Sequence, residues 1–512
     1  MMQNNFYITT PIYYPSGQPH MGHAYSSILT DVFARFKRND NFNVYFLTGT
    51  DEHGLKIQKA AEKENLEPSV FCAKISKVFK DLTEKLNLSN DDFIRTTEKR
   101  HHKAVTEIWN RLVKSGDIYL SKYKGWYSVS DEAYYTQSEI TEKNGKKIST
   151  ISGSEVEWVE EDSFFFKLSS WEKKLLDFYD KNEKFILPIS RRNEVINFVK
   201  SGLNDLSVSR TSFTWGIKVP ENNTHVIYVW LDALTNYLSA LNFPNIKDKL
   251  YKSFWPASLH VIGKDILRFH AIYWPAFLLA ANIEPPSRVF GHGWILSGDE
   301  KMSKSKGNIL NPLEIIDNYG IDALRYYLMK EVSHGSDGSI SLKSLENCIN
   351  SDLANNYGNL CQRVFSFIKN NCKNKINKSK NLTDSDKKLI DQTKKLTKDL
   401  REEMNNQNLN NYIKSVINIS FLTNKYINDE EPWKLKESNL NKMNNILHTA
   451  LEQIAKISIL LNPIIPTSTS KVLDALNIKK KDRDLSFLDG KNILDDIVKI
   501  NELDILFKKI TS

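Results

Sequence analysis

Short apolar runs and helical periodicity alternate at the start of the chain. Phe6-Tyr7-Ile8 predicts a strand, and the stretch from Pro11 to Pro19, rich in proline and glycine, predicts a loop. From about Gly22 to Arg38 the apolar positions Ile28, Val32 and Phe36 recur at the spacing of one helix face. Val44-Tyr45-Phe46-Leu47 then predicts a buried strand, so the opening is a βαβ unit. From about Gly116 to Gly216 the texture changes to short aromatic strands such as Gly125-Trp126-Tyr127 and Ser163 to Lys167, which predicts an inserted α+β subdomain. Strand-like runs at Val226 to Leu231, Leu259 to Ile262 and Val289 to Phe290 predict completion of the parallel sheet.

After about Ser344 strand signals vanish. Amphipathic segments at Tyr357 to Ile368, Leu389 to Leu400, Leu409 to Tyr426 and Ile446 to Leu461 predict a helical bundle. The Lys/Asn-rich stretch from Asn370 to Asn381 reads as a solvated loop between helices, and no repeat of fixed period is present.

A chain of 512 residues exceeds what one core usually organises, so three or four domains are expected. No apolar run approaches the roughly 20 residues that span a bilayer, which speaks against a membrane protein. The first ten residues lack a targeting pattern. Cys72, Cys348, Cys361 and Cys372 are scattered without a CxxC pair, which points away from a disulfide framework and toward a reducing cytoplasm. The net charge of +8 would suit a polyanionic partner, although a Lys/Asn bias can arise from genome composition.

Two segments carry chemistry. His20-Met21-Gly22-His23 closes the loop after the first strand and opens a helix, placing two imidazoles beside unpaired backbone N–H groups at a positive helix end, where phosphate binds readily. Taken alone, such a pair is more simply a cap or a core element. Lys301-Met302-Ser303-Lys304-Ser305-Lys306-Gly307 clusters ammonium groups that could neutralise charge on a departing pyrophosphate, though a lone lysine-rich turn is usually just solvated.

Together, in this order and bracketing a split βα sheet, the two segments resemble the two signatures of class I aminoacyl-tRNA synthetases. Within that class, Pro11-Ile12-Tyr13-Tyr14, Thr48-Gly49-Thr50-Asp51-Glu52-His53-Gly54 and Tyr228-Val229-Trp230-Leu231-Asp232-Ala233 resemble methionyl-tRNA synthetases over nearly the whole chain. The resemblance implies an α/β architecture: a Rossmann-like parallel-sheet catalytic domain split by an inserted α+β subdomain, then an all-α helical-bundle anticodon-binding domain. The expected divisions are 1–115 and 217–298 for the two catalytic halves, 116–216 for the insertion, 299–345 for the lysine loop and stem-contact region, and 346–512 for the helical domain. No further tRNA-binding module is expected after it.

The same resemblance implies that methionine is activated with ATP and then transferred to tRNA(Met), read through its CAU anticodon. His20, His23, Lys301 and Lys304 would serve catalysis, and Gly22, Gly263 and Asp265 would join them in binding ATP with Mg2+. The methionine pocket would comprise Ile12, Tyr14, Asp51, Trp230, Ala233, Leu234, Tyr237, Ile266, His270 and Trp274. Asp51 suits the substrate ammonium, and the apolar and aromatic groups suit a polarisable thioether. Asn359, Arg363 and Trp433 would read the anticodon; the first two stand four apart on one helix face.

Two departures stand out. Residues 116–216 contain no cysteine, so no structural zinc is expected and packing should replace the zinc knuckles that many relatives carry. Leu234 stands where many relatives have proline. Another class I synthetase for an apolar amino acid, or a catalytically silent RNA-binding protein on this scaffold, remains open at this point.

Overall fold

The computed structural model describes residues 4–511 except 132, 298–299, 302–309, 334 and 379–380. Its contacts divide into two compact units. Asn5–Thr30 and Tyr45–His292 form one, and Asp31–Val44 and Gly293–Ser512 make up most of the other.

The first unit is organised by a six-stranded sheet in the order Asp92–Arg95, Asn43–Thr50, Asn5–Thr9, Leu259–Gly263, Val289–His292, Ile186–Leu187. Parallel pairing joins Ile8 to Leu259 and His260 to Val289 across its middle. Tyr7, Ile8, Leu259, Val261 and Val289 are all buried, the signature of parallel strands covered on both faces. The chain builds outward on one side of Asn5–Thr9 and later returns on the other, so the strand order, though not the strand direction, reverses between Asn5–Thr9 and Leu259–Gly263. Ligands collect outside the carboxyl ends of the strands at such a switch point. The loop to His20 leaves from one of those ends and Lys264–Ile266 from the other.

The apolar run Val226 to Leu231 departs from the expected single strand of the parallel sheet. Asn222–Ile227 is instead the middle strand of a small antiparallel sheet, flanked by Ser209–Arg210 and Lys218–Val219, and Val229–Leu234 is a helix. A short apolar run has no period that separates a buried strand from a buried helix start. The strands Asp92–Arg95 and Ile186–Leu187 were not expected at all, being too short to show a pattern.

The inserted subdomain is a four-stranded sheet. Its long hairpin pairs Ile118–Ser128 with Glu157–Phe166, in register from Ile118 opposite Phe166 to Tyr127 opposite Glu157. Trp126 meets Trp158 edge-on at 5.2 Å, and Arg210 lies against the Tyr127 ring at 5.3 Å. Its loops are drawn together by Asp131, which accepts from Tyr135 Oη at 2.7 Å, Ser152 Oγ at 2.5 Å and Ser154 Oγ at 2.8 Å.

The second unit is chiefly helical. Leu440–Leu461 is buried almost all round and packs with Leu409–Glu430, Pro466–Ala475 and Asp384–Thr397. The stretch Asn370 to Asn381, expected as a loop, contains the strand Lys375–Asn377, which pairs antiparallel with Ile497–Lys499. A three-residue strand whose partner lies more than a hundred residues away leaves no local signal. Buried Arg325 donates to Asp31 at 2.6 Å and to the carbonyls of Pro463 and Ile464, so its charge is both paired and hydrogen-bonded.

Candidate active site

The helix Met21–Asn39 begins at His20, whose carbonyl accepts from the N–H groups of His23 at 3.0 Å and Ala24 at 3.2 Å. The two imidazoles stack with centroids 3.8 Å apart. His20 Nδ1 accepts from the Gly22 N–H, and His23 Nδ1 accepts from the His20 N–H, both at 3.1 Å. In the neutral rings this assigns the proton to Nε2, so each ring keeps an N–H donor there. A Cβ at Gly22 would stand 3.0 Å from His20 Cε1, so a side chain there would push the imidazole aside. Burial, then the neighbouring His20 and Lys56, push the His23 pKa well below the usual imidazole range. His23 therefore works as a neutral hydrogen-bonding group.

Asp51 is 4% exposed and sits at the end of the second strand. Its N–H donates to the Tyr13 carbonyl at 2.9 Å, and the Tyr13 N–H donates to Gly49 at 2.9 Å. The Tyr13 ring meets His23 edge-on at 4.9 Å, so one residue links the carboxylate loop to the paired histidines. The neighbours of Asp51 are anchored more strongly still. Glu52 accepts from Arg95 Nε at 2.6 Å and Nη2 at 3.0 Å, and from Thr97 Oγ1 at 2.6 Å. His53 Nδ1 lies 2.7 Å from Asp232 Oδ2, while His101 Nε2 lies 2.6 Å from Asp232 Oδ1. Burial would raise the Asp232 carboxyl, but His53 and His101 outweigh it and hold it below the usual range. Asp232 belongs to the same short helix as Trp230, Ala233 and Leu234, so this carboxylate ties that helix to the Asp51 loop.

Around that helix lies an aromatic cluster. Trp230 stacks on Phe269 at 3.7 Å with planes 3° apart and meets His270 edge-on at 6.1 Å. His270 is buried; its Nδ1–H donates to the Ile266 carbonyl at 3.0 Å, so Nε2 accepts from Tyr237 Oη at 2.7 Å. Burial pushes its pKa down to about 4, which keeps the ring neutral. Tyr237 lies 6.2 Å from Trp274 ring to ring. The indole N–H groups of Trp230 and Trp274 are buried with no hydrogen-bond partner among the described residues. Ile12, Tyr14 and Ile266 are half-buried against this core, and the Lys56 ammonium lies over the Tyr14 ring at 5.2 Å. Ala233 and Leu234 are buried in the helix itself.

At the end of the adjacent strand, a Cβ on Gly263 would approach the Asp265 carboxylate to 2.5 Å; glycine leaves that exposed carboxylate its place. Lys301 lies in the strand Glu300–Lys301 of the second unit, and Lys304 lies outside the described residues. Asn359 and Arg363 share the helix Asn359–Asn371. Arg363 donates to Asn428 at 2.8 Å and stands over the Trp433 ring at 5.9 Å. Sequence reasoning missed His53, Asp232, His101, Glu52 and Phe269 as builders of the site. His53, Glu52 and Asp232 lie inside the quoted segments, but nothing local reveals that His53 and Asp232 meet.

Beside this open parallel sheet, with its paired histidines, buried carboxylate and aromatic cluster, stands the match of residues 6–365 to the family described as tRNA synthetases class I (M), which makes the chain a class I aminoacyl-tRNA synthetase. Residues 376–512 match the anticodon binding domain of methionyl tRNA ligase. The methionine–tRNA ligase of Rickettsia typhi is 48% identical over 512 residues, covering 99% of this chain and 100% of that one. That of Rhizobium meliloti is 49% identical over 484 residues, 94% of each. Mycobacterium tuberculosis methionyl-tRNA synthetase in complex with methionyl-adenylate matches with a TM-score of 0.96 at 42% identity, over 99% of this chain and 100% of that one. Its free-state form matches at 0.89 with 39% identity, over 100% and 99%. The chain belongs to the methionyl-tRNA synthetase family, and its activity is methionine–tRNA ligation.

Proposed function

We propose that Asp51 pairs with the substrate ammonium while the thioether lies in the pocket of Ile12, Tyr14, Trp230, Ala233, Leu234, Tyr237, Ile266, His270 and Trp274. Neutral, oriented imidazole and two indole edges offer a soft, weakly polar lining that fits sulfur better than a charged or strongly hydrogen-bonding side chain. The observation that carries this reading is the clamp through Tyr13. It ties buried Asp51 to the backbone segment leading to His20 and sets the Tyr13 ring against His23. An ammonium held at Asp51 would leave the attached carboxylate close to phosphate held by the histidines.

ATP would lie along Gly22, the Nε2–H groups of His20 and His23, and the Gly263–Asp265 edge, where the ribose hydroxyls can donate to Asp265. The substrate carboxylate attacks the α-phosphorus and pyrophosphate leaves; Lys301 and Lys304 would neutralise the charge that builds as it does so. Magnesium would arrive on the triphosphate and supply further neutralising charge. Among the described residues no group of three or more His, Cys, Asp or Glu side chains could hold a metal. On the helical unit, Asn359, Arg363 and Trp433 would read the CAU anticodon of tRNA(Met), with the exposed indole stacking on an unpaired base. Among the described residues no helix is long and apolar enough to cross a membrane, and the cytoplasm is where we place this activity.

The test is methionine-dependent exchange of pyrophosphate into ATP. Asp51→Ala is expected to cut kcat/KM for methionine about a hundredfold through loss of a charge-assisted contact. His23→Ala should lower kcat with little change in methionine KM. Exchange driven better by leucine or valine than by methionine would overturn the pocket assignment.

A further inference from the structure

One buried imidazole lies outside the proposed methionine lining. His260 stands second in the strand Leu259–Gly263 and is fully buried. Parallel strands covered on both faces are ordinarily apolar throughout, and its neighbours Leu259, Val261 and Ile262 follow that rule. His260 breaks it at a cost in stability, because its Nε2 has no hydrogen-bond partner among the described residues. A leucine of similar bulk would avoid that cost. The imidazole thus has a duty beyond filling the sheet.

Its ring is held in one plane and offers a face to Tyr237. Thr9 is its register partner in the neighbouring strand, and Thr9 Oγ1 is hydrogen-bonded to His260 Nδ1 at 2.8 Å. The imidazole stacks on the Tyr237 ring, with centroids 4.1 Å and planes 30° apart. Tyr237 is fastened at two further points: Oη donates to His270 Nε2 at 2.7 Å, and its carbonyl accepts from Tyr7 Oη at 2.8 Å. Neither bond fixes the tilt of the phenol ring, which the stacked imidazole does. Burial, and then His270, push the His260 pKa well below the usual imidazole range, so the face it offers is that of a neutral ring.

Resting on the methionine pocket proposed above, we propose that His260 is a positioning residue of that pocket, which keeps the Tyr237 hydroxyl on His270 by stacking on the phenol. It acts through Tyr237 and not by touching the amino acid. A flat ring tethered by Thr9 braces the phenol over its whole face, whereas an aliphatic chain in the same place lets it rock. A loosened Tyr237 releases His270 as well, so methionine binding suffers while ATP handling does not.

The experiment measures methionine-dependent pyrophosphate exchange in the full chain carrying His260→Leu, Thr9→Val or both. His260→Leu is expected to raise methionine KM about tenfold and Thr9→Val about threefold, with kcat and the KM for ATP unchanged to within about twofold. The double variant should be no worse than His260→Leu alone, since Thr9 acts through the imidazole. A histidine that merely supports the sheet would lower the active fraction, cutting kcat and leaving methionine KM in place; that outcome overturns the proposal. Additive effects of the two changes overturn it too, as does an unchanged methionine KM in Thr9→Val, a variant mild enough to fold should the leucine variant fail to. Tyr237→Phe separates this inference from the pocket beneath it. If its methionine KM is unchanged, the pocket assignment itself falls; if it rises while the His260 and Thr9 variants stay normal, only the role of His260 is lost.

Discussion

In the catalytic unit the polar groups around the pocket are buried, and their partners come from far along the chain. Asp232 reaches His53 and His101 across more than a hundred residues, Glu52 is held by Arg95, and His270 is oriented by Tyr237 and Ile266. On the helical unit the groups proposed to read RNA lie at or near the surface. Arg363 is partly exposed, with Asn428 as its hydrogen-bond partner, and the Trp433 indole is 42% exposed at the turn after Leu409–Glu430. A small zwitterion must be stripped of water and held to a fraction of an ångström before chemistry can proceed, so its site needs buried, over-determined groups. An anticodon brings its own rigid stem and its own charge. Its readers need only be reachable and aimed.

The sharpest way to break this contrast is to remove the buried carboxylate. Asp232→Ala leaves His53 and His101 facing each other in the interior without their shared acceptor, and should cost about 3–5 kcal/mol of stability, read as a lowered urea midpoint. Asp232→Asn, which retains one acceptor oxygen, should lose less while raising methionine KM, because the helix bearing Trp230 loosens against the Asp51 loop. A loss under about 1 kcal/mol for the alanine variant would mean that the pocket is not held together this way.

Acid provides a second test. The folded pKa of His270 is about 4 against an ordinary value of 6.5, so between these values the unfolded chain binds a proton that the folded one does not. The stability it contributes is complete above pH 6.5 and falls as pH drops toward 4, by about 2 kcal/mol at pH 5. His260, pushed well below the usual range by burial and then by His270, acts in the same direction. In the helical unit His448 is the one described histidine shifted that way. Pulse proteolysis in urea at pH 7 and pH 5, with fragments assigned to each unit, should therefore show the catalytic unit losing more. Equal losses would remove the distinction.

The smallest effect should come from the surface. Trp433→Ala is expected to weaken tRNA charging by about 1.4 kcal/mol, a tenfold change, through loss of one base stack. Exchange and the urea midpoint should hardly move. A fall in exchange would show that this tryptophan is not confined to reading RNA.

Much of this architecture is written locally. The strands beginning at Asn5 and Leu259 and the long helices Leu409–Glu430 and Leu440–Leu461 follow from apolar periodicity, because each buries its own face over several turns or residues. The run Val226 to Leu231 does not, since it is too short to show whether it continues as strand or turns into helix. The strands Ile186–Leu187 and Lys375–Asn377 owe their existence to partners rather than to their own residues. In the site, His20, Gly22, His23 and Asp51 stand in segments distinctive enough to be singled out by eye. Phe269, which stacks directly on Trp230, stands in a segment that reads as ordinary core.

Local sequence sets the order of elements, the helix opening at the paired histidines, the cysteine-free insertion and the residue types available to the site. These depend on neighbours within a few positions, where backbone propensity and periodicity act. It takes the folded chain to make His53 and His101 share one carboxylate, to hold His270 neutral with its Nε2 turned to Tyr237, and to bring Lys59 and Lys63 to a cavity. Protonation and hydrogen-bond direction depend on burial and on groups brought together by folding, and no local pattern encodes them.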